Sequence, residues 1–190
     1  MLITIWYYPL DCGVSVWFHS AMGTGLIDIR RATIDDAGAI ARVHDAAWRV
    51  AYRGLIPGLE LERMVQLRGP QWWSKALTRG SRVSVLLSRT QVVGYTNFGG
   101  NRAKSLPYGG EIYELYLEPV QQGLGYGQRL FEAARRDLAR AGLNGLVVWA
   151  LKDSVGAAGF YEAMGGQPVA ASAERFGTKN LDKIAYAWQR

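Results

Sequence analysis

EPVQQGLGYGQRLFEAARRDLARAG, residues Glu118–Gly142, places glycines at positions 123, 125 and 127 directly before a segment with the pattern of an amphipathic helix. Glycine is among the weakest helix formers, so helix stability does not explain its use here. The N–H groups of a helix's first turn lack intrahelical partners and carry partial positive charge. Without side chains over them, they can approach a phosphate closely. The stretch therefore predicts an anion-binding loop. The alternative is a tight turn whose glycines only satisfy geometry.

The spacing of these glycines differs from two familiar phosphate-binding loops. A P-loop ends in Lys-Ser or Lys-Thr, where this chain has Gln128 and Arg129. A Rossmann fingerprint reads G-x-G-x-x-G, follows the first strand of an α/β repeat and leads to an acidic residue about twenty positions later. Here the pattern is G-x-G-x-G, several strands precede it, and residues 145–151 contain no acid. Dinucleotide binding is therefore a minor alternative.

Outward from the loop, the apolar periodicity predicts one strand, helices, three strands, the loop and its helix, a strand, a helix and two strands. The three runs before the loop, RVSVLLSR, VVGYTNFGG and GEIYELYLEP, predict an antiparallel meander. Gly145–Leu151 is almost wholly apolar and predicts a buried central strand. The predicted fold class is α/β (α+β), a mixed, mostly antiparallel seven-stranded sheet flanked by helices.

Composition and charge fit a single globular domain. The chain has 190 residues, 49% hydrophobic and 20% charged, which is enough for a sizeable core. A formal net charge of +6 suits an acidic ligand, nucleic acid or an anionic surface. We expect no nucleic-acid partner, because there is no basic stripe with interleaved aromatics. Cys12 is the only cysteine. It excludes an internal disulfide, argues against a metal cluster and suggests a reducing cytoplasm.

Residues 1–25 are apolar and aromatic, but Pro9 and Asp11 interrupt them. The segment has no basic leader region and is too broken for a membrane span, so we expect no membrane association. We interpret it as an appendage before a domain at residues 26–190. Two explanations stay open. Either Met22 is the native start, or the segment is an arm that packs on a partner subunit.

The glycine loop and four other segments, in the correct order along the chain, resemble the GNAT superfamily of N-acetyltransferases. Gln122–Gly127, QGLGYG, resembles its Q/R-x-x-G-x-G/A acyl-CoA motif, and EIYELYLEP resembles the strand before it. VVWALKDSVGAAGFYEAMGG resembles the fifth strand and following helix, with F-Y-E-x-x-G intact. Ala47–Pro57, AWRVAYRGLIP, is similar to the helix-to-loop segment of a common bacterial subgroup, and IAYAW to the last strand. The resemblance covers the chain from Ile27 and implies a GNAT-like fold for residues 26–190.

The resemblance implies acetyl-CoA as co-substrate, in a wedge between the fourth and fifth strands. The glycine loop would hold its pyrophosphate, and its pantetheine arm would pair with main-chain groups near Tyr116 and Leu117. An N–H near Leu117 would stabilise the oxyanion. Ser154 stands where the family usually has Asn, so a side-chain amide contact to the pantetheine arm would be lost. Gly166 stands where the family commonly has an aromatic residue. The implied cofactor-binding residues are Tyr116, Leu117, Gln122, Gly123, Leu124, Gly125, Tyr126, Gly127, Gln128 and Ser154.

The family mechanism is direct attack of an amine on the thioester, without a covalent enzyme intermediate. The amine must lose a proton, and the leaving thiolate must gain one or be stabilised otherwise. Tyr161 matches the family's acid, with a core tyrosine as alternative. Glu114 is the candidate base, directly or through water, with a solvated carboxylate as alternative. Glu111 lies three residues earlier, so strand alternation aims the two carboxylates at opposite faces unless a bulge resets the register.

Three further residues, by the same resemblance, would border the acceptor amine: Trp48, Tyr52 and Arg53. Trp48 is equally well explained as core packing. We interpret His44 as a satisfied surface or core histidine, and Trp72 and Trp73 as core or a dimer contact rather than a ligand cage.

The predicted function is acetyl transfer from acetyl-CoA to a primary amine of a small molecule or peptide. A non-catalytic CoA- or anion-binding module on the same fold is the alternative, and a CoA-binding regulator with an inactive acceptor site is a third interpretation. Terminal strands such as IAYAW often pair between subunits in relatives, so we expect a homodimer.

Overall fold

The computed structural model describes residues 27–189. The N-terminal segment that we interpret as an appendage, with both explanations for it, lies outside the described residues. The helices and strands, numbered in chain order, are β1 Ile27–Arg31, α1 Ala37–Ala51, α2 Gly58–Leu67, α3 Pro70–Thr78, β2 Arg82–Ser88, β3 Gln91–Gly100, β4 Gly110–Leu117, α4 Tyr126–Arg140, β5 Leu146–Leu151, α5 Val155–Ala163, β6 Gln167–Phe176 and β7 Lys179–Trp188. Their order and type agree with the sequence prediction.

The seven strands form one sheet in the order β1-β2-β3-β4-β5-β7-β6. Neighbouring strands are antiparallel except β4 and β5, which are parallel. This confirms the predicted fold class, including the meander β2-β3-β4 and the buried central strand β5, every residue of which is buried. In residues 27–189, no helix has both the length and the apolar character needed to cross a membrane.

The two faces of the sheet carry different helices. A β-carbon at Gly94 of β3 would collide with Leu117 and approach Leu130 of α4, so this face lies against α4. The adjacent Tyr95 contacts His44 of α1 and therefore faces the opposite side. We call this opposite side, which α1 and α3 cover, the α1 face. Its helices bring side chains from distant parts of the sequence over the middle of β3 and β4.

A β-bulge in β4 changes which side chains reach the α1 face. The β3–β4 register shifts by one residue between Asn97 and Phe98, opposite the segment that contains Tyr113. Gly110 and Leu117 are an odd number of residues apart, yet both lie against leucines of α4, Leu138 and Leu130. Strict alternation would put them on opposite faces, so the extra residue reverses the alternation along β4.

The strands β4 and β5 pair over only a short stretch. Their parallel register joins Gly110–Ile112 to Leu146–Val148 and then stops. Beyond Ile112, β4 stays paired with β3 on one side but no longer with β5 on the other. An open main-chain edge therefore runs toward the carboxyl end of β4, where the glycine loop begins.

Proline fixes the position of one further charged side chain. Pro70 lies in the first turn of α3, where its missing N–H costs nothing and its φ suits a helix start. The preceding helix α2 ends with Arg68 as its C-cap. The break between α2 and α3 thus places the Arg68 side chain beside the α1 face, where it is 15% exposed.

Candidate active site

The glycine loop, residues Gln122–Gln128, joins β4 to α4. Gly123 and Gly125 both have φ of 76°, in the left-handed region that side chains rarely permit, and Gly125 is the N-cap of α4. A β-carbon at either position would meet no atom within 4 Å. The glycines are therefore needed for the main-chain conformation, and the space beside them is open.

The N–H groups of the loop are available as donors. Within residues 27–189, no main-chain carbonyl accepts a hydrogen bond from the N–H groups of Gly123 through Gln128. The next N–H, of Arg129, bonds the Gly125 carbonyl at 3.3 Å. Leu124 is 58% exposed, and the exposed Gln128 amide donates to Glu132 at 2.9 Å. The loop thus presents a row of unbonded N–H groups at a helix start, a site suited to an anion.

The open edge of β4 lies next to this loop. Tyr116 and Leu117, expected to pair with a pantetheine arm, belong to the part of β4 that β5 does not pair with. Both side chains are buried, on opposite faces. Ser154 is the N-cap of α5, just after β5. The residues predicted to bind cofactor therefore surround the gap between the diverging ends of the two parallel strands.

Glu114 lies on the α1 face, with no exposed surface. Its Oε1 is 3.1 Å from Arg68 NH1, an ion pair whose angle does not make a hydrogen bond, and its Oε2 accepts from Tyr95 Oη at 3.5 Å. Burial raises its pKa, while the Arg68 charge and a hydrogen bond from Asn97 act in the opposite direction. The alternative of a solvated carboxylate is wrong, because the site is fully enclosed by protein.

Glu111 faces the same side as Glu114. Strict alternation would place the two carboxylates on opposite faces of the sheet. The β-bulge in β4 shifts the register by one residue and brings both to the same face, the exception already allowed for a bulged strand. Glu111 accepts hydrogen bonds from the Arg102 guanidinium at 2.6 Å and from the Arg102 main-chain N–H at 2.8 Å. With both oxygens held by one arginine, Glu111 is an ion-paired structural carboxylate, and Glu114 is the better candidate base.

Tyr161, the candidate acid, lies in α5 with no exposed surface. Four aromatic rings surround it with centroid distances of 5.2 to 6.3 Å: Phe131, Phe160, Tyr186 and Trp188. Tyr161 is thus packed as a core residue among rings of α4, α5 and β7.

Comparison with known proteins agrees with this geometry. The model of the acetyltransferase (GNAT) family matches residues 39–166, which include the glycine loop, the open edge of β4 and Tyr161. The chain belongs to the GNAT family of acetyltransferases. This confirms the predicted family and enzyme class. The bacterial subgroup indicated by AWRVAYRGLIP stays a prediction.

Individual relatives show how widely the GNAT fold extends over the chain. The uncharacterised N-acetyltransferase YuaI of Bacillus subtilis strain 168 is 26% identical over 163 residues, 86% of this chain and 93% of that protein. PaiA N-acetyltransferase of Thermoplasma acidophilum, solved with coenzyme A, has a TM-score of 0.67 at 14% identity, covering 86% and 99% of the chains. YncA of Salmonella typhimurium, solved with acetyl-CoA, has a TM-score of 0.63 at 20% identity, covering 86% and 93%.

Two departures from the GNAT pattern have distinct structural consequences. Ser154 occupies the N-cap of α5, but its side chain makes no capping hydrogen bond. A β-carbon at Gly166 would lie 2.5 Å from the Trp188 ring, and Trp188 Nε1 donates to the Met164 carbonyl at 2.8 Å. Trp188 of β7 therefore packs directly against Gly166 and leaves no room there for a side chain.

The predicted acceptor residues separate into two environments. Trp48 of α1 and Tyr52, the C-cap of α1, are fully buried on the α1 face, and Tyr52 Oη is 2.9 Å from Tyr116 Oη. Arg53 is exposed, and the structure does not bring it together with these two side chains. Trp48 thus belongs to the buried aromatic packing, and Arg53 has no contact here that supports its predicted role in the pocket.

An aromatic cluster on the α1 face encloses the Glu114 side chain. Its rings contact one another at centroid distances of 4.7 to 6.4 Å, and it consists of His44, Trp48, Trp73, Tyr95 and Tyr116. Trp73 is buried, as expected for a core residue, whereas Trp72 is 38% exposed and stacks on the Arg68 guanidinium at 3.8 Å. The cluster excludes water from the carboxylate and explains the direction of its pKa.

Sequence reasoning missed Arg68, Tyr95 and Asn97. The alternation of VVGYTNFGG puts Tyr95 and Asn97 on one face of β3, a signal that was available. Their contact with Glu114 depends on the register between β3 and β4, which the sequence does not specify. Nothing local to the stretch QLRGP marks Arg68, since only the packing of α2 and α3 brings it to the sheet.

Proposed function

We propose that this protein transfers the acetyl group of acetyl-CoA to a primary amine by direct attack. The observation that carries the proposal is the row of unbonded N–H groups at Gly123–Gln128 beside the open edge of β4. The cofactor is expected from the family and from relatives solved with coenzyme A or acetyl-CoA. The open space at Gly123 and Gly125 fits a bulky phosphate.

Each part of the site has one task under this proposal. The glycine loop would hold the pyrophosphate through main-chain N–H groups, and the β4 edge would pair with the pantetheine arm. Acetyl-CoA supplies the activated thioester. A main-chain N–H near Leu117 would stabilise negative charge on the carbonyl oxygen. These tasks use main-chain groups, which is why they tolerate the substitution at Ser154.

Glu114 would take the proton that the attacking amine must lose. A carboxylate in this role works best when its pKa is raised toward the working pH, and burial acts in that direction. Its Oε1 has no hydrogen-bond partner among the described residues. Because Glu114 has no exposed surface, we propose that the proton reaches it through water or a neighbouring hydroxyl. Tyr161 would return a proton to the departing CoA thiolate.

The burial of Glu114 and Tyr161 also favours one alternative, a CoA-binding protein without turnover. One experiment decides between the two functions. CoA release is followed over a panel of primary amines, with acetyl-CoA binding measured in parallel by calorimetry. Acetyl transfer predicts binding together with amine-dependent release that falls in Tyr161→Phe. Binding without release for any amine supports the alternative. Absence of binding at millimolar acetyl-CoA contradicts both functions.

We also propose a cytoplasmic homodimer, without nucleic-acid or membrane partners. The strand that contains IAYAW, β7, lies between β5 and β6, so it lacks the free edge expected for pairing between subunits. β6 is at the edge of the sheet instead, and its residues from Gln167 to Glu174 are exposed or half-buried. An edge strand offers unpaired main-chain groups to a second copy. Light scattering tests this arrangement directly, since a monomer at micromolar concentration contradicts it. The domain assignment 26–190 is likewise a proposal, which truncation at residue 26 tests. The identity of the acceptor amine is tested by the amine panel.

A further inference from the structure

The side chain of Glu114 is connected to α1 through two hydrogen bonds. Tyr95 Oη lies 3.5 Å from Glu114 Oε2, longer than a typical O–H···O hydrogen bond, and 2.8 Å from His44 Nδ1. All three side chains have no exposed surface. The connection from His44 to Glu114 therefore lies wholly inside the protein, shielded from solvent.

The chemistry of the three groups fixes the direction of both bonds. A carboxylate paired with Arg68 only accepts hydrogen bonds, so the Tyr95 hydroxyl must donate to Glu114. That hydroxyl has a single proton, so it accepts from His44, which requires the proton to be on Nδ1. His44 Nε2 is then a bare acceptor. It is buried and has no hydrogen-bond partner among residues 27–189.

Both intermediate groups keep their neutral forms. Burial, and secondarily the Arg68 charge, lowers the pKa of His44 to about 3. Burial also raises the pKa of Tyr95 well above its usual value. Neither group gains or loses a proton near neutral pH, so the chain of donors does not move the proton. It can only orient the carboxylate and stabilise its charged form.

We propose that His44 and Tyr95 form a donor chain that holds Glu114 as an oriented carboxylate, with Oε2 accepting from Tyr95 and Oε1, which is ion-paired with Arg68 but not hydrogen-bonded, as the oxygen that accepts a proton. Both are positioning residues, since His44 acts on Glu114 through Tyr95. This inference rests on the proposed role of Glu114 as base. It gives a function to a histidine that the sequence suggested was only a satisfied core residue.

Other polar groups also face Glu114, and the test must separate their effects from those of the chain. They come from every element packed against it: Tyr52 at the end of α1, Arg68 at the end of α2, Asn97 of β3, Arg102 after β3, and Glu111 and Tyr116 of β4. None of these is altered by substitutions at Tyr95 or His44. Changes in the Glu114 titration midpoint that follow those two substitutions therefore report on the donor chain.

The test is a titration of Glu114 by ¹³C NMR in the free protein labelled at glutamate carboxyl carbons. Its signal is identified by its loss in Glu114→Gln. Tyr95→Phe is expected to raise the midpoint by about one pH unit, because the carboxylate loses a donor. His44→Leu, which removes the Nδ1 donor, should raise it by about half a unit. His44→Asn is similar in size to Leu but keeps a donor near Nδ1, so it should stay within about 0.2 units of wild type.

Two comparisons distinguish a donor chain from general packing. The double variant Tyr95→Phe/His44→Leu should match Tyr95→Phe alone, since the chain is already cut. Tyr113→Phe, next to Glu114 on β4, removes a hydroxyl that donates to the Gly100 carbonyl of β3 at 2.7 Å, and should leave the midpoint unchanged. An unmoved midpoint in Tyr95→Phe, or equal shifts for His44→Leu and His44→Asn, would overturn the inference.

Enzyme kinetics separate this inference from the proposed function. The acidic limb of kcat/KM should move to higher pH in Tyr95→Phe, in step with the NMR midpoint, because the base is then protonated at higher pH. If Glu114→Gln keeps the wild-type acidic limb, the role of Glu114 as base fails, while the NMR titration still decides whether the chain exists. If the acidic limb of kcat/KM disappears in Glu114→Gln but the Glu114 titration midpoint does not change in the Tyr95 and His44 variants, only the donor chain is contradicted.

Discussion

The glycine loop and the Glu114 site are built in different ways, although both lie at β4. The loop uses main-chain N–H groups from one contiguous segment, Gly123–Gln128. The Glu114 site uses side chains that α1, the end of α2, β3 and β4 contribute separately. The first is exposed at Gly123 and Gly125, whereas the second is fully buried. Anion binding is thus encoded locally, and the acid–base chemistry depends on tertiary packing.

This difference predicts that chemistry and cofactor binding can be lost independently. Glu114→Gln should lower kcat/KM by about 10²–10⁴-fold, the usual contribution of a positioned general base. Acetyl-CoA affinity, measured by calorimetry, should stay within about twofold, because the loop does not contact Glu114.

Glu111→Gln is the matched control for that substitution. It also removes a buried, arginine-paired carboxylate from the α1 face. It should lower the free energy of unfolding. Its kcat/KM, measured at a temperature at which the variant is fully folded, should stay near wild type. Equal losses of kcat/KM in the two variants would contradict a specific role for Glu114.

The reverse separation is expected at the loop. Gly125→Glu should weaken acetyl-CoA binding by about 100-fold, since it adds a negative charge and blocks N–H donors whose charge-assisted bonds contribute about 1.5–3 kcal/mol each. Gly142→Glu is the matched control. Gly142 has φ of 72°, close to the 76° of Gly125, and open space for a β-carbon, so the main-chain strain is similar. Calorimetry should show normal affinity in this control; a comparable loss there would mean that strain, not the loop, weakens binding.

Buried His44 predicts a pH dependence of stability that the exposed loop does not have. Its pKa of about 3 in the folded state lies below the ordinary value of 6.5. The stabilisation from keeping it neutral is complete above pH 6.5 and declines as pH falls toward 3, because the unfolded chain takes up the proton first. Between pH 6.5 and 5 the free energy of unfolding should fall by about 1.6 kcal/mol. Urea denaturation checks this fall, which His44→Asn should lack; identical pH profiles would contradict it.

A smaller effect tests the close contact between Gly166 and Trp188. Gly166→Ala should destabilise the protein by about 1–3 kcal/mol, because the added methyl overlaps the Trp188 ring. Gly159→Ala, an exposed helix position with open space around it, should stabilise by up to about 1 kcal/mol. Thermal unfolding of both variants gives the two signs, and destabilisation of similar size in both would mean that the close contact at Gly166 does not determine the effect.

Sequence reasoning succeeded where a feature is continuous along the chain. Alternation and helical spacing gave the order of the strands and helices, and the glycine spacing marked the loop. It was limited where the position of a side chain depends on how strands pair and helices pack. The bulge opposite Asn97 turned Glu111 to the same face as Glu114, and alternation alone cannot place a bulge. Arg68 and Tyr95 reach Glu114 only through the packing of helices and the register of β3, and Trp188 reaches Gly166 from the last strand.

The most direct test of the glycine loop is to follow main-chain amides during cofactor binding. Acetyl-CoA is titrated into ¹⁵N-labelled protein, and the amide shifts are compared along the chain. Our account predicts that the largest changes occur at Gly123–Gln128, with smaller ones at Tyr116 and Leu117 on the open edge of β4. Saturable binding that leaves the Gly123–Gln128 amides unchanged would contradict it.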